Sequence, residues 1–241
     1  MFLGIDEINK NLQLHLPQNS MECLRLHARK QAENEFFLRL MNGDEIIELL
    51  SYLRENNVYK DICPFWTDDH SNYVAIYISG PLKYRVCYVD HEETDLSPAF
   101  RSIDTFIHAV EEDDTADWHD LKKDYPSTDS TIKEKQDDLQ AVQALQKILD
   151  EYKEIDEEIR CQYIFSIMAL TPSESLDMLL HYVDDEDMYV QERACEILGF
   201  HQYVPARDKL RTIAETGMHN GKLAAKRALE KIRAKRKERE V

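Results

Sequence analysis

The sequence after residue 137 carries apolar residues at helical spacing only, and this pattern repeats along the chain. Six helices are predicted, at 138–152, 156–170, 173–183, 188–199, 203–216 and 221–238. The second, fourth and sixth align at a spacing of 31 residues: Ile159 with Val190 and Gly221, Tyr163 with Ala194 and Ala225, and Ile167 with Leu198 and Leu229. Three helical hairpins at one fixed period predict a helical-repeat domain, in which each hairpin buries its apolar face against its neighbours.

Residues 1–112 show a mixed pattern of helical and strand periods. Helices are predicted at 5–14, 20–30, 44–54 and 102–112, and strands at 35–40, 73–79 and 84–89. Ser20 and Ser102 stand where the N-cap residues of the second and fourth helices are expected. The last two strands are rich in tyrosine, valine and isoleucine and flank Gly80-Pro81, which predicts an antiparallel hairpin. A strand hairpin flanked by helices indicates an α+β domain with an antiparallel sheet.

Residues 113–137 are polar and acidic and contain Pro126 within a cluster of serine, threonine and aspartate. No apolar period is sustained there, so we predict a linker. Trp118 is the residue expected to anchor this linker by becoming buried. The predicted organisation is an α+β domain at 1–112, an acidic linker at 113–137 and an all-α domain of about three helical hairpins at 138–241.

The charge of the chain is strongly negative and unevenly distributed. Thirty lysines and arginines stand against 47 aspartates and glutamates, a formal net charge of −17. Acidity covers both predicted domains and the linker, whereas residues 222–241 hold nine basic and three acidic side chains. This balance argues against direct nucleic-acid binding, because the phosphate backbone repels an acidic surface. The acidity is either an ordinary solvated surface or a field that steers a basic partner toward the protein.

Location and cofactors are constrained by what the sequence lacks. No apolar run approaches the ~20 residues that cross a bilayer. The opening segment MFLGIDEINKNLQ has neither the basic stretch nor the apolar core of a signal peptide. The five cysteines are odd in number and scattered, with no CxxC pair. We therefore expect a cytoplasmic protein with reduced thiols, no membrane partner, no metal and no other cofactor. No oligomeric state is predicted.

Three segments of the N-terminal part resemble, in order, the SUKH superfamily, which includes the fungal cell-wall assembly regulator and many bacterial immunity proteins. They are IDEINKNLQLHLPQNSMECLRLHA at 5–28, CPFWTDDHSNYVAIYI at 63–78 and YRVCYVDHEETDLSPAFRSIDTFIHAVEE at 84–112. The first is similar to the family's two opening helices with a Leu-Pro break. The second is similar to its Pro-Phe, acidic turn and aromatic strand, and the third to its strand, Asp-His, acidic loop and final helix. The resemblance implies a cytoplasmic antitoxin that binds a polymorphic toxin, often a basic nuclease, and blocks it.

Residues 176–199, LDMLLHYVDDEDMYVQERACEILG, resemble a HEAT repeat. The matching features are an apolar first helix, a short acidic turn at 184–187 and a second helix that ends at Gly199. The resemblance implies an elongated scaffold that binds macromolecules. Glu192, Arg193 and Glu196 on its inner face either bind a protein partner, form a buried contact between repeats or are an ordinary surface.

Two polar segments next to the predicted hairpin hold the candidate partner-binding residues. One is the turn from Thr67 to His70 and the other is the run from Asp90 to Asp95. They either lie together as one negative patch for a basic partner or are ordinary solvated loops. Most aromatic residues of this region are expected to pack in the core, and Trp66 is the best candidate for an exposed hot-spot residue, because it adjoins the polar turn. The candidate set is Trp66, Asp68, Asp69, His70, Asp90, Glu92, Glu93 and Asp95.

Other interpretations stay open beside an immunity protein. His70, Asp90 and His91 are residue types that hold zinc or act as an acid–base pair, but their spacing matches no metal motif. The chain also has no GxSxG, HExxH or phosphate-binding glycine loop, so we predict a protein without catalytic residues. A HEAT-type adaptor or regulatory scaffold unrelated to toxins is the alternative function. The basic stretch Lys222–Arg239 is either a solvated helix cap or a contact for an anionic partner.

Overall fold

The computed structural model describes residues 5–152 and 154–239, without the side chains of 235–239. It divides into two compact units, Met1–Tyr125 and Pro126–Val241. The opening residues 1–4 and the basic side chains of 235–239, on which part of the sequence analysis rests, lie outside the described residues.

The first unit combines helices with a small antiparallel sheet. Its helices are α1 (Ile5–Asn11), α2 (Gln18–Gln31), α3 (Gly43–Leu53) and α4 (Ile103–Glu112), with one 3-10 turn at Asn57–Tyr59. Its strands are β1 (Arg39–Leu40), β2 (Ile62–Thr67), β3 (Tyr73–Tyr77) and β4 (Val86–Val89). The strands lie in the order β1-β2-β3-β4, and each is antiparallel to the next. The predicted combination of helices with an antiparallel sheet is confirmed, including the β3–β4 hairpin.

The β1–β2 side of the sheet differs from the prediction. The strand predicted at 35–40 is only two residues long, and β2 was not predicted at all. Every residue of β2 is buried, so the strand has no alternation of apolar and polar side chains. It also contains Pro64, and its register against β3 shifts between Pro64 and Trp66. A proline and a bulge conceal a strand from pattern analysis.

At each edge of the sheet, the backbone of one residue is paired with a group outside the four strands. At β1, the side-chain amide of Gln31 accepts from the Leu40 N–H (2.6 Å) and donates to the Leu40 carbonyl (2.9 Å). At β4, the Val86 N–H donates to the Phe100 carbonyl (3.0 Å), and the Val86 carbonyl accepts from the Ala99 N–H (2.9 Å). The backbone groups at these positions are therefore not available to template pairing with another strand.

Helices α2 and α4 pack against each other. Ser102 caps α4, as predicted, and accepts the N–H of the third helical residue. The prediction for α2 was wrong, because this helix begins at Gln18, directly after Pro17. Proline already holds the backbone angle needed at a helix start. Ser20 lies inside the helix instead, where it is buried and donates to Asp104 at 3.0 Å.

The segment 113–125 belongs to the first unit, which corrects the linker predicted at 113–137. Its apolar side chains are buried in the core of that unit: Ala116, Trp118 and Leu121. The Tyr125 N–H donates to the Ala99 carbonyl at 3.1 Å and fixes the end of the segment. Three apolar residues among polar neighbours form no period, so their packing is invisible to pattern analysis.

The second unit is helical. Its helices are α5 (Ile132–Glu151), α6 (Glu157–Leu170), α7 (Met188–Phe200), α8 (Arg207–Thr216) and α9 (His219–Arg239), with a short 3-10 turn at Val204–Ala206. The helix predicted at 173–183 is present as two 3-10 segments, Ser173–Leu179 and Tyr182–Asp184, rather than as one α-helix. Its buried side chains recur at intervals of three residues: Leu176, Leu179 and Tyr182. This interval fits three residues per turn rather than 3.6.

Helix α7 packs against both α6 and α9, the three helices that carry the 31-residue spacing. Gly221 takes the place that Ile159 and Val190 hold in the other two helices. A Cβ atom at 221 would lie 2.2 Å from Gln191 Oε1. That oxygen accepts the Met218 N–H at 2.8 Å, so the Gln191 side chain is held in the space a larger residue would need.

Candidate functional site

The turn between β2 and β3 is built around the carboxylate of Asp68. This carboxylate accepts the N–H of His70 (2.8 Å) and of Asn72 (3.2 Å), and it also accepts from Asn72 Nδ2 (2.7 Å). Asp69 and Ser71 have φ values of 60° and 72°, the left-handed region that tight turns require. The side chain of His70 is exposed at the tip of this turn.

Asp69 is held by Arg39. The guanidinium donates to Asp69 through Nε (2.8 Å) and Nη2 (2.7 Å), and to Glu45 through Nη1 (3.1 Å) and Nη2 (2.8 Å). Hydrogen bonding to Arg39 lowers the pKa of both carboxyls below their ordinary values. The charge of Asp69 is thus compensated within the fold, unlike the charge of Asp68.

Asn72 joins the β2–β3 turn to the acidic loop that follows β4. Its Oδ1 accepts from the N–H of His91 (3.0 Å) and from His91 Nδ1 (2.7 Å), while its Nδ2 donates to Asp68. Because Oδ1 is an acceptor, His91 Nδ1 carries a proton. The two acidic segments singled out in the sequence are therefore brought together by one asparagine side chain.

The loop after β4 is organised by its own carboxylates. Asp90 Oδ1 accepts the N–H groups of Glu92 (2.7 Å) and Glu93 (3.3 Å). Asp95 Oδ1 accepts the N–H of Ser97 at 2.9 Å and is partly buried. Glu92 and Glu93 are exposed, and the carboxylate of Glu92 lies 3.7 Å from His91 Nε2.

A third segment contributes Asp117, which the sequence analysis had placed in the linker. Trp118 stacks on Tyr88 with ring centroids 4.6 Å apart and planes within 5° of parallel. This stack brings residues 117–119 onto β4. Burial raises the pKa of Tyr88 well above its ordinary value, and the carboxylates of Asp68, Asp90 and Asp117 raise it further. The isolated tryptophan in a polar stretch was the one sequence signal for this contribution.

Lys123 lies next to the same aromatic pair. Its Nζ is 5.1 Å from the centroid of the Trp118 ring and donates to the Trp118 carbonyl at 2.7 Å. Burial lowers the pKa of Lys123, whereas Asp117 and Asp120 oppose that change. The Lys123 ammonium therefore hydrogen-bonds the backbone carbonyl of Trp118 and acts on Asp117 at longer range, without a direct salt bridge.

Trp66 is not part of this surface, and the prediction that it is exposed was wrong. Its side chain is 0% exposed. Its ring packs edge-on against Phe106 with centroids 4.6 Å apart, and Phe65 lies 5.7 Å away. β2 is an inner strand of the sheet, and every residue of it is buried. The polar turn after β2 is therefore no indication that Trp66 is exposed.

One group of possible metal ligands occurs in the described parts of the chain. The ligand atoms of Glu157, Cys161 and Asp187 lie within 4.8 Å of one another. Each side chain has another role: Glu157 pairs with Arg160 at 2.8 Å, and Asp187 caps α7. Burial raises the pKa of Cys161 to about 12, and a protonated thiol is a poor metal ligand. The residues suggested by sequence as a metal or acid–base set, His70, Asp90 and His91, form no such group in these parts.

Two of the predicted contact residues of the helical unit, Glu192 and Glu196, contact side chains of α9. Arg227 on α9 lies 3.2 Å from Glu196 and 3.9 Å from Glu192, both on α7. Asn220 Nδ2 also donates to Glu192 at 2.8 Å. These carboxylates therefore tie α7 to α9.

In the described residues, no helix combines the length and apolar character needed to span a membrane.

Comparison with known proteins identifies no relative of this chain. No protein-family model, no curated protein and no solved structure matches the chain.

Proposed function

We propose that this chain is a non-catalytic acidic binding protein whose first unit captures a basic protein partner. The surface that binds the partner is the Tyr88 surface, defined by Asp68, Tyr88, Asp90, Glu92, Glu93 and Asp117. One observation carries the proposal. The Asn72 hydrogen bonds join the segments of Asp68 and Asp90, and the Trp118–Tyr88 stack brings in the segment of Asp117, so that all three carboxylates act on one tyrosine.

The charge of this surface is directed at the surroundings. Among the described residues, no lysine or arginine pairs directly with any of the three converging carboxylates. Lys123 acts on Asp117 at longer range, and His91 Nδ1 lies 4.0 Å from Asp90. Other carboxylates of the first unit are paired: Asp6 with Arg25, Asp69 with Arg39 and Glu111 with Lys30. Uncompensated charges act on an approaching partner within a Debye length, about 8 Å at 0.15 M salt. A cationic protein surface is the partner that this field attracts.

We infer that the partner is a toxin domain and that the chain is its immunity protein. The resemblance of residues 1–112 to the SUKH superfamily supports this inference, and so does the net charge of −17, since nuclease toxins are commonly basic. An immunity protein must bind before the toxin acts. Charge complementarity serves this need, because it raises the association rate more than the final affinity.

The test compares the wild-type chain with a variant that carries Asp68→Asn, Asp90→Asn and Asp117→Asn. Asparagine keeps an oxygen that accepts the turn hydrogen bonds, so charge is the property that changes. The probe is the purified basic domain of a toxin encoded beside the gene for this chain. We expect its association rate to fall about 10-fold or more in the variant at 0.15 M salt, measured by stopped-flow or surface plasmon resonance.

The matched control removes three charges from exposed positions elsewhere on the first unit. It carries Glu22→Gln, Glu33→Gln and Glu55→Gln, and its association rate is expected to stay near wild type. If the toxin domain binds but both triple variants behave alike, the Tyr88 surface is not the binding surface. If no neighbouring toxin domain binds at all, the immunity function is wrong.

A HEAT-type adaptor is the second candidate, with the working surface on the helical unit. The favouring observation is that Tyr189 and Phe200 are 59% and 42% exposed on α7. Their separation of eleven residues, three helical turns, places them on one face. Leu223 on α9 is also exposed, and a contiguous patch of exposed apolar side chains would mark an interaction surface. Loss of partner binding in the full chain with Tyr189→Ser and Phe200→Ser, but not with the Tyr88-surface variant, would indicate the adaptor.

A further inference from the structure

Helices α2 and α4 are joined by two polar contacts that lie seven residues apart on each helix. Ser20 Oγ donates to Asp104 Oδ2 at 3.0 Å, and His27 Nδ1 lies 3.1 Å from Glu111 Oε1. Seven residues are two helical turns, so both contacts lie on the facing sides of helices that run in the same direction. The side chain of His27 is 0% exposed. An ionisable ring is therefore enclosed between the two helices.

The hydrogen bonds of His27 define its neutral form. A carboxylate only accepts, so the proton of the ring is on Nδ1 and Nε2 carries a lone pair. His27 Nε2 is buried and has no hydrogen-bond partner among the described residues. The indole Nε1 of Trp66, whose ring centroid lies 6.4 Å from that of His27, is buried and unpartnered as well. A second proton on His27 would create another buried donor beside it.

The charged surroundings of His27 offer little to an imidazolium. Glu111 on α4 is the carboxylate that acts on the ring, but its other oxygen already accepts from Lys30 Nζ at 2.6 Å. Lys30 itself opposes a positive charge at His27. The other carboxylate at this helix contact, Asp104, acts on the thiol of Cys23.

The remaining neighbours of His27 carry no charge. Phe36, which precedes β1, packs edge-on with its ring centroid 5.0 Å away, and Trp66 of β2 lies on another side. Burial lowers the pKa of His27 from its ordinary 6.5, and the hydrogen bond to Glu111 opposes this change without reversing it.

We propose that His27 is an acid-sensitive latch that holds α2 against α4 while its ring is neutral and loosens this contact when the ring takes up a second proton. The unfolded chain binds that proton more readily than the folded one. The contribution of His27 to stability is therefore fully present above pH 6.5 and is lost as the pH falls below this value. The latch concerns the first unit alone and does not depend on any partner.

The first experiment uses the fact that both tryptophans, Trp66 and Trp118, lie in the first unit. Tryptophan fluorescence of the full chain then follows unfolding of that unit in urea. We expect the urea concentration at the unfolding midpoint of the wild type to decrease as the pH is lowered from 7.5 to 5.0. His27→Gln, which keeps a donor for Glu111 and does not ionise, is expected to flatten this dependence.

The matched control is His108→Gln, on the same pair of helices but 76% exposed. It is expected to keep the wild-type pH dependence. The latch is contradicted if His27→Gln depends on pH as steeply as the wild type, or if the control flattens the dependence equally.

A second experiment stays decisive even where His27→Gln does not fold. The titration of the His27 ring in the wild-type chain is followed by NMR, and its midpoint is expected below 6.5. Lys30→Met removes a positive charge and leaves Glu111 to His27 alone, so the midpoint should rise in that variant. A midpoint at or above 6.5 in the wild type, or no rise with Lys30→Met, would overturn the proposal.

Discussion

The charge of Asp69, which was expected to face a partner, is paired with Arg39 within the fold. Asp68 and Asp69 are adjacent and chemically identical, and both were predicted to bind a partner. The Arg39 guanidinium donates charge-assisted hydrogen bonds to Asp69 and Glu45, while Asp68 accepts hydrogen bonds from the β2–β3 turn in which it lies. Glu45 also accepts the Asn42 N–H at 2.7 Å in the capping box of α3. One arginine thus joins a helix start to the β2–β3 turn.

We expect Arg39→Met to destabilise the first unit by about 1 kcal/mol. The pair is partly exposed, so solvent screening limits the loss to the upper end of what surface ion pairs contribute. Urea unfolding followed by tryptophan fluorescence measures it. Arg29→Met, at an exposed position on α2, is the control and should leave the midpoint unchanged. Equal midpoints for Arg39→Met and wild type would show that Arg39 is not a structural link.

Element boundaries divide into those set locally and those set by packing. The cap of α4 was predictable, because Ser102 and Thr105 satisfy each other's backbone within four residues of chain. The start of α2 was not, because Ser20 is drawn to Asp104, distant in sequence, while Pro17 begins the helix. The same distinction explains Gly221. The 31-residue spacing suggests a larger residue there, but the side chain of Gln191 fills the space.

We predict that Gly221→Ala destabilises the second unit by about 1–2 kcal/mol. Overpacking and loss of the Gln191–Met218 hydrogen bond together cost ~2–3 kcal/mol, whereas the better helix propensity of alanine returns at most ~1 kcal/mol. Thermal unfolding followed by circular dichroism at 222 nm measures the change. In the background of Gln191→Ala, where the space is open, Gly221→Ala should be neutral or stabilising. A destabilisation of the same size in both backgrounds would contradict this account.

For the whole molecule, the acidic residues differ in what surrounds them. In the second unit, several carboxylates between residues 174 and 185 are paired with basic residues of other helices: Glu174 with Lys135, Asp184 with Lys209 and Asp185 with Arg160. On the Tyr88 surface, Asp68, Asp90 and Asp117 form no such direct pair among the described side chains, although Lys123 acts on Asp117 at longer range. The net charge of −17 therefore overstates the negative field around the paired carboxylates of the second unit. It also conceals the difference between these carboxylates and those of the Tyr88 surface.

These pairs predict a loss of stability in acid. The pKa values of Asp69 and Glu45 are lowered by hydrogen bonds from Arg39, and that of Glu174 by Lys135. A lowered folded-state pKa means that the unfolded chain binds more protons, so this stability is present above about pH 4.5 and falls as the pH drops through the folded-state values.

The measurement is the thermal midpoint between pH 5 and pH 3, at low protein concentration because the isoelectric point expected from the sequence is about 4.9. The midpoint should fall over this range, less steeply in 0.5 M salt than in 0.05 M, since salt screens exposed pairs. Arg39→Met should remove part of the fall. A midpoint that rises on acidification would show that relief of repulsion between carboxylates outweighs loss of the pairs.

The sequence by itself determined that helices combine with an antiparallel hairpin and that the chain after residue 137 is helical. It also shows that no apolar period is sustained around Trp118. Each of these follows from side-chain periodicity or from residues within one turn of each other. The tertiary structure alone decided that Trp66 is buried, that Asp69 is paired with Arg39 and that Asp117 joins Asp68 and Asp90 near Tyr88. These outcomes depend on which distant segments pack together, and no local pattern contains that information.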